Sequence, residues 1–539
     1  MVLRQTGNEM HLRRSHPCRT AAPPRMKIVP LHRRGVGEGC GEPEDPPRRL
    51  TPSPLPGGDF QRRVAARCQR GIAVLFLLLI LIFLILASSI FITWNRWEGQ
   101  SPTLRFDRDF KALGRNPSLS LLIEDSGCGL KNISVNLKQK DQLVSLVEEQ
   151  YPAPSSFGRS RIQKSKTFEI GKLIAEKYKA QEGPASLVVT ASDHAVRNFF
   201  RGNQTHLQRD FVFDIFPPRL EVLSGQHYIN QGGSECVVYR VSPDAEVSGV
   251  QAGPHFFPGY PANRGDPNLK FCLFAFAYNI PADSPLKIVA RDAAGNEAVA
   301  GFWYKLFPKK FRSRDIKVED SFLQKAVPEI MSHTSEIKDQ GDLAKTFVEL
   351  NSKLRRLNHA LIAELAQKSP ARFLWDGSFL QLSNSQVESL FADHRTYLYQ
   401  GKEIDRQDHV GFDLSVVQQY PIEASNDGVV VYADYLGIYG NCVMIDHGCG
   451  LLSLYGHLSS INVKAGQQVK KKDVLGRSGA TGLAGGDHLH FGLFLHGVPV
   501  NPNEWWDGKW IKDHVLDRLK PTPESAGGGS QQSVVSTRP

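Results

Sequence analysis

The chain has 539 residues, 41% of them hydrophobic and 22% charged, which excludes a wholly disordered protein and leaves room for several domains. Its formal net charge is +10. Residues 1–70 hold 14 Lys and Arg against 6 Asp and Glu, so this segment supplies most of that charge and the balance gives no support for nucleic-acid binding.

In chain order, residues 1–70 are rich in Pro, Gly and Arg with few large apolar side chains, and read as a disordered basic tail. Residues 71–94 contain the uncharged run GIAVLFLLLILIFLILASSIFIT, long enough to cross a hydrocarbon core of ~30 Å as a helix. A cleaved signal peptide has a shorter apolar core, of about 7–15 residues, and no leader of this length. Arg62, Arg63, Arg67 and Arg70 crowd one flank, and Trp94 and Trp97 mark the other. Positive charge stays on the cytoplasmic side, so the N-terminus is expected inside and everything after Trp94 outside.

Residues 95–117 read as a polar linker. Residues 118–216 and 217–310 are strand-rich, with runs such as LVVTA, FVFDIF, ECVVYRV and KFCLFAFAY separated by turn signals. Ile170–Gln181 is the one helical interruption. The stretch LKIVARDAAGNEA resembles the last strands of bacterial immunoglobulin-like domains, which implies immunoglobulin-like β-sandwich modules divided near Pro217–Pro218. Residues 311–378 read as a helical linker, with Leu350, Leu354, Leu357, Leu361 and Leu365 spaced for one face of a helix. That face serves as a spacer, as a pairing surface, or against its own domain. Residues 379–512 return to strands, and 513–539 read as a flexible tail. The expected fold class is mainly β, a membrane-anchored multidomain chain.

Cys128, Cys236, Cys272, Cys442 and Cys449 follow the apolar run, and none forms a CxxC pair, so a thiolate zinc site is not expected. Cys236–Cys272 and Cys442–Cys449 are the sequence-near disulfide options; free buried thiols are the alternative.

The C-terminal region holds the chemistry. In GGDHLHFGLF, His488 and His490 are two apart on a β-forming run and point to one side. Upstream, DHVGFDLSV places His409 and Asp413 four apart, and LLSLYGHLS adds His457. Two imidazoles and a carboxylate make a suitable zinc set, and three protein ligands leave a fourth position for water. With RSGATGLAGGDHLHFGLF, YGHLS and NPNEWW, residues 396–510 resemble the lysostaphin/LytM-type zinc endopeptidases. The resemblance implies a β-rich fold with an open groove and cleavage of the peptide cross-links of peptidoglycan. Carried over, His409, Asp413 and His490 bind Zn2+, and His457 and His488 are the catalytic histidines. An imidazole suits proton transfer because its ordinary pKa is near ~6.5. Which of the two is the general base stays open. No HExxH pattern offers a glutamate instead.

Gly479, Gly482, Gly485 and Gly486 suit a loop with positive φ or a close approach to substrate. His447 is expected in a structural role, His496 at a solvated hairpin tip, and Lys470–Lys472 on a solvated face. Asn441 and Tyr455 are weaker groove candidates.

The resulting expectation is a zinc metalloendopeptidase of cell wall remodelling in the bacterial inner membrane. It is single-pass, with a cytoplasmic N-terminus and a periplasmic catalytic domain. Its partners are peptidoglycan peptides, the membrane through one transmembrane helix, and cell wall proteins through the β-modules or helix; no nucleic acid is expected. The alternative is a non-catalytic or autoinhibited LytM-type regulator that activates other wall hydrolases.

Overall fold

Strands dominate, and in the first β-rich region apolar and polar side chains alternate along them. Leu130–Gln139, for example, buries Ile133, Val135 and Leu137 at every second position. The computed structural model describes residues 74–90, 99–153, 163–196, 201–262 and 265–520. The chain divides into two units, Met1–Leu86 and Ala87–Pro539. Residues 74–90 are helical, and the large apolar side chains from Val74 to Leu86 are exposed. Among the described residues no helix is long and apolar enough to cross a membrane. Residues 1–73 and 91–98, which include the basic tail and both ends of the expected anchor, lie outside the described residues, as do 521–539.

Within the second unit, the first β-rich region carries a five-stranded and a three-stranded sheet over one buried cluster. Its helix is Ile170–Lys177, shorter than expected. Two short strands, Thr103–Phe106 and Ala112–Leu113, fall inside the stretch expected to be a linker. Phe110 and Leu113 are buried there, and their wide spacing hid them among charged residues. The next region, Leu220–Ala300, forms two four-stranded sheets that feed a common core. That core continues into the C-terminal domain through Trp375, Phe412 and Trp505.

The expected helical linker begins instead with a strand, β1 (Ser313–Val318), which pairs in parallel with β2 (Asp393–Tyr399). Helices α1 (Asp320–Met331), α2 (Leu343–Glu349) and α3 (Arg355–Gln367) follow. A π-type turn, Leu350–Leu354, separates α2 from α3. An extra residue in a turn rotates everything after it. The buried stripe therefore runs Leu350, Leu354, Asn358, Ile362, Ala366, and Leu357 is left exposed.

The C-terminal domain is organised by an eight-stranded sheet. Its central members are β4 (Phe412–Ser415), β5 (Gly428–Tyr435), β6 (Asn441–Asp446), β7 (Leu451–Leu458) and β8 (Leu489–Leu495), in the spatial order β4-β8-β7-β6-β5. β3 (Lys402–His409) hairpins with β2 and leads into β4. Among the described residues, Cys236, Cys272, Cys442 and Cys449 are free thiols, and all four are buried, as is Cys128. Cys236 pairs across the ladder with Leu273, and Cys272 with Val237, so the two thiols point to opposite faces.

Candidate active site

Strand register brings the candidate side chains together. On adjacent antiparallel strands, Asp413 of β4 lies directly opposite His490 of β8. His409 ends β3, and two residues, Val410 and Gly411, separate it from the start of β4. The link contains Gly411, where an added Cβ would lie 2.7 Å from His490 Nε2, so the backbone passes the ring only as glycine. On the other side of β8, Gly456 of β7 faces His490.

His457 arrives by a different device. The β6–β7 ladder carries a bulge there: Asn441 pairs with Leu458 and Val443 with Tyr455. His457 itself has a φ of 64°, an uncommon left-handed conformation for a histidine. Its ring centre lies 4.8 Å from that of His488 and 5.8 Å from that of His490. His488 is placed by a bridge to Gly479, where a Cβ would meet Ser459 N at 2.5 Å. Of the other loop glycines, Gly482 has a positive φ and closes on Gly440; Gly485 and Gly486 need neither device, and Gly485 borders the cavity described below.

Three atoms converge. His409 Nε2 lies 2.9 Å from Asp413 Oδ1, and His490 Nδ1 lies 3.0 Å from both. His488 Nε2 is 3.4 Å from the same oxygen. His409 Nδ1 donates to the Leu390 carbonyl at 2.9 Å, which orients the ring with Nε2 facing the cluster. His457 Nδ1 donates to the Thr481 carbonyl at 2.8 Å and His488 Nδ1 to the Gly486 carbonyl at 2.9 Å.

Burial opposes a charged Asp413, yet His409, His488 and His490 outweigh it and hold the carboxyl well below its usual range. Burial pushes His490 down to about 4 and keeps His457 well below an ordinary histidine. Burial also works against His488, but the hydrogen bond and charge of Asp413 prevail and raise it. A carboxylate oxygen and two ring nitrogens thus crowd one buried spot. Only a proton or a cation between them offsets their repulsion, and two imidazoles with one carboxylate suit zinc. The residues present fit a metal ion.

The cluster opens into a cavity of about 400 Å³. His409, Asp413, His457, His488 and His490 all border it.

Comparison with known proteins finds a match over the region that holds these residues. Residues 407–502 match peptidase family M23. These residues form a peptidase M23 domain of the LytM/lysostaphin type. Over 94 residues the chain is 43% identical to the DD-carboxypeptidase/endopeptidase Mpg of Neisseria meningitidis, covering 17% of this chain and 22% of that protein. Over 93 residues it is 43% identical to the peptidoglycan DD-endopeptidase ShyA of Vibrio cholerae, again 17% and 22%. The chain thus spans under a quarter of the length of these curated relatives. Among solved structures, the catalytic domain of lysostaphin from Staphylococcus simulans is similar, with 27% identity, coverage of 24% of this chain and 98% of that one, and a TM-score of 0.21.

Residues outside the M23 match complete the site. Arg395 of β2 donates from Nη2 to Asp413 Oδ2 at 2.8 Å. Ile316, Lys317, Phe322, Phe347 and Arg355 also line the cavity. Glu329 of α1 accepts from Gly482 N at 2.8 Å and from Tyr435 Oη at 3.0 Å, and Lys325 donates to the Ala480 carbonyl at 3.0 Å. Helix α1 therefore lies on the glycine loop of the M23 domain. Sequence spacing marked β1 and α1 only as a linker, because a helix contacting a loop leaves no periodic trace.

The remaining candidates take structural places. His447 is buried between the Asp427 carbonyl and Ser453 Oγ, each at 2.7 Å. His496 is not a solvated tip: its Nε2 meets Tyr260 Oη of the preceding β-region at 3.1 Å, and burial pushes it down to about 4. Tyr455 is a core residue bonded to Ser425 and Ser453. Asn441 binds the Leu458 carbonyl. Lys470 pairs with Asp427 at the exposed surface.

Proposed function

We propose that the chain is a zinc-dependent endopeptidase that hydrolyses peptide cross-links of peptidoglycan. The observation that carries this reading is the convergence of His409 Nε2, Asp413 Oδ1 and His490 Nδ1 within 2.9–3.0 Å, beside two further imidazoles. In this reading His409, Asp413 and His490 hold the ion. When bound, zinc polarises the scissile carbonyl and acidifies water. His457 and His488 each have Nδ1 tied to a backbone carbonyl, so each presents Nε2 for a proton or a developing oxyanion. The substrate class follows the names of the Neisseria and Vibrio relatives. The purified full-length protein should carry one zinc per chain and cleave peptidoglycan. Cleavage that survives His490→Ala would overturn the assignment.

The same proposal places the protein in a bacterial inner membrane, anchored by residues 71–94, with the M23 domain in the periplasm. The motivation is the uncharged run and its arginine flank. The two four-stranded sheets of Leu220–Ala300 are read as an immunoglobulin-like module. Release of the protein from membranes by alkaline carbonate would remove the anchor.

One observation favours a second reading, an autoinhibited or regulatory protein. Part of the lining of the cavity that holds the histidines comes from β1 and α1–α3. Glu329→Ala removes an acceptor from two donors and should loosen that lining. A zinc-loaded parent that cleaves only after this substitution would establish autoinhibition. Equal rates would dismiss it.

A further inference from the structure

The two oxygens of Asp413 face different neighbours. Oδ1 points at His409 Nε2, His490 Nδ1 and His488 Nε2. Oδ2 accepts the Arg395 guanidinium at 2.8 Å, and both side chains are largely buried, 18% and 11% exposed. β2 lies between β1 and β3 in its sheet, so Arg395 is presented from a strand paired on both edges. A guanidinium is planar, permanently charged and geometrically fixed where an ammonium is not.

We infer that Arg395 is a positioning residue for the metal centre: it occupies Asp413 Oδ2 so that the carboxylate offers a single oxygen to the ion. A carboxylate free at both oxygens can ligate through both and take up the coordination position that substrate or water needs. The Arg395 contact blocks that mode and fixes the carboxylate plane. The inference rests on the reading of His409, Asp413 and His490 as ligands. A buried ion pair that serves only folding is the competing account.

The test uses full-length parent, R395A, R395K and R395Q, each checked for folding by circular dichroism without metal. Zinc affinity is measured by competition with a chromogenic chelator, and the visible spectrum is recorded with Co2+. Removing a group that orients a ligand costs about 10–100-fold in metal affinity, and R395A should lose that much. Its Co2+ bands should weaken as coordination rises above four. R395K should recover part of the affinity, because an ammonium still holds Oδ2 through one bond. If R395A does not fold, R395Q carries the same comparison without the charge. A folded R395A or R395Q with parental zinc affinity and an unchanged Co2+ spectrum would overturn the inference. A parent that binds no zinc would remove the ligand reading beneath it, and is separable because it needs no variant.

Discussion

Asp413 and Glu504 are both buried carboxyls at positions where the chain makes long-range contacts, and they are held in opposite states. Burial is the largest influence on each and favours the neutral acid. Around Asp413 stand three imidazoles, and Arg395 binds its second oxygen. They overcome the cost of burial and keep it anionic. Around Glu504 the donors are neutral: Asn230 Nδ2 at 2.9 Å, Ser234 N at 2.7 Å and Ser234 Oγ at 3.2 Å. They do not overcome it, and Glu504 is pushed up to about 7. The contrast separates a carboxylate prepared for a cation from one that joins the M23 domain to the preceding β-region.

The most severe way to break this contrast is to neutralise each carboxyl with its amide. Asp413→Asn removes the negative charge that three imidazoles face. Activity on peptidoglycan should fall by at least ~10⁴-fold, with bound zinc lost. Glu504→Gln should leave zinc content and turnover near the parent. Equal damage from both, read by metal analysis and cleavage assays, would show that the two sites do not differ in kind.

Within the site, the comparison sharpens at His457. Its φ of 64° penalises most replacements, but asparagine tolerates that conformation. His457→Asn should therefore keep the backbone and the zinc while removing a proton-transfer group. A loss of about 10²–10⁴-fold in kcat is expected. Zinc loss in this variant would make His457 a ligand and not a catalytic group.

Much of the candidate site was legible in the sequence because its histidines and aspartate sit close together in short β-forming runs. The i, i+2 relation of His488 and His490 survives as neighbours at the start of β8. The HxxxD spacing reflects a strand end, a turn through Gly411 and a new strand, not one continuous strand. Arg395 was not legible: nothing in HRTYLY says that the strand turns this arginine toward a carboxylate 18 residues on. The role of residues 311–378 was hidden for a related reason. The parallel pairing of β1 with β2 spans a helical insertion, and no local pattern announces it. Glu504 was visible only as part of NPNEWW. Its partners come from NQGGS, 270 to 274 residues earlier, where a Cβ on Gly233 would collide with the Glu504 carboxyl.

Glu504 also yields a pH dependence. Its folded value, about 7, lies above the ordinary 4.5. The folded state therefore binds the proton more tightly than the unfolded chain. That contribution is complete below pH 4.5 and is lost as pH rises through 7. The full effect is roughly 3 kcal/mol by the usual conversion. Denaturant midpoints of the parent should fall across this window, and Glu504→Gln should flatten the slope. A slope that persists in the variant would assign it to other groups.

The finest adjustment is Ser234→Ala. Ser234 Oγ accepts from Trp505 Nε1 at 2.9 Å and contacts Glu504 Oε2 at 3.2 Å. Its loss leaves a buried indole N–H unpaired, and should cost about 1–2 kcal/mol at any pH. The hydroxyl also favours the ionised form of Glu504, because it donates to the carboxylate. Without it the anion is less well solvated, so the midpoint of the stability–pH curve should move upward from about 7. Arg395 places a permanent charge on the second oxygen of Asp413, whereas the donors to Glu504 are neutral and their removal acts through a proton. A downward shift in Ser234→Ala would mean that the hydroxyl serves the neutral acid instead, and the account of how Glu504 is held would fail at its smallest contact.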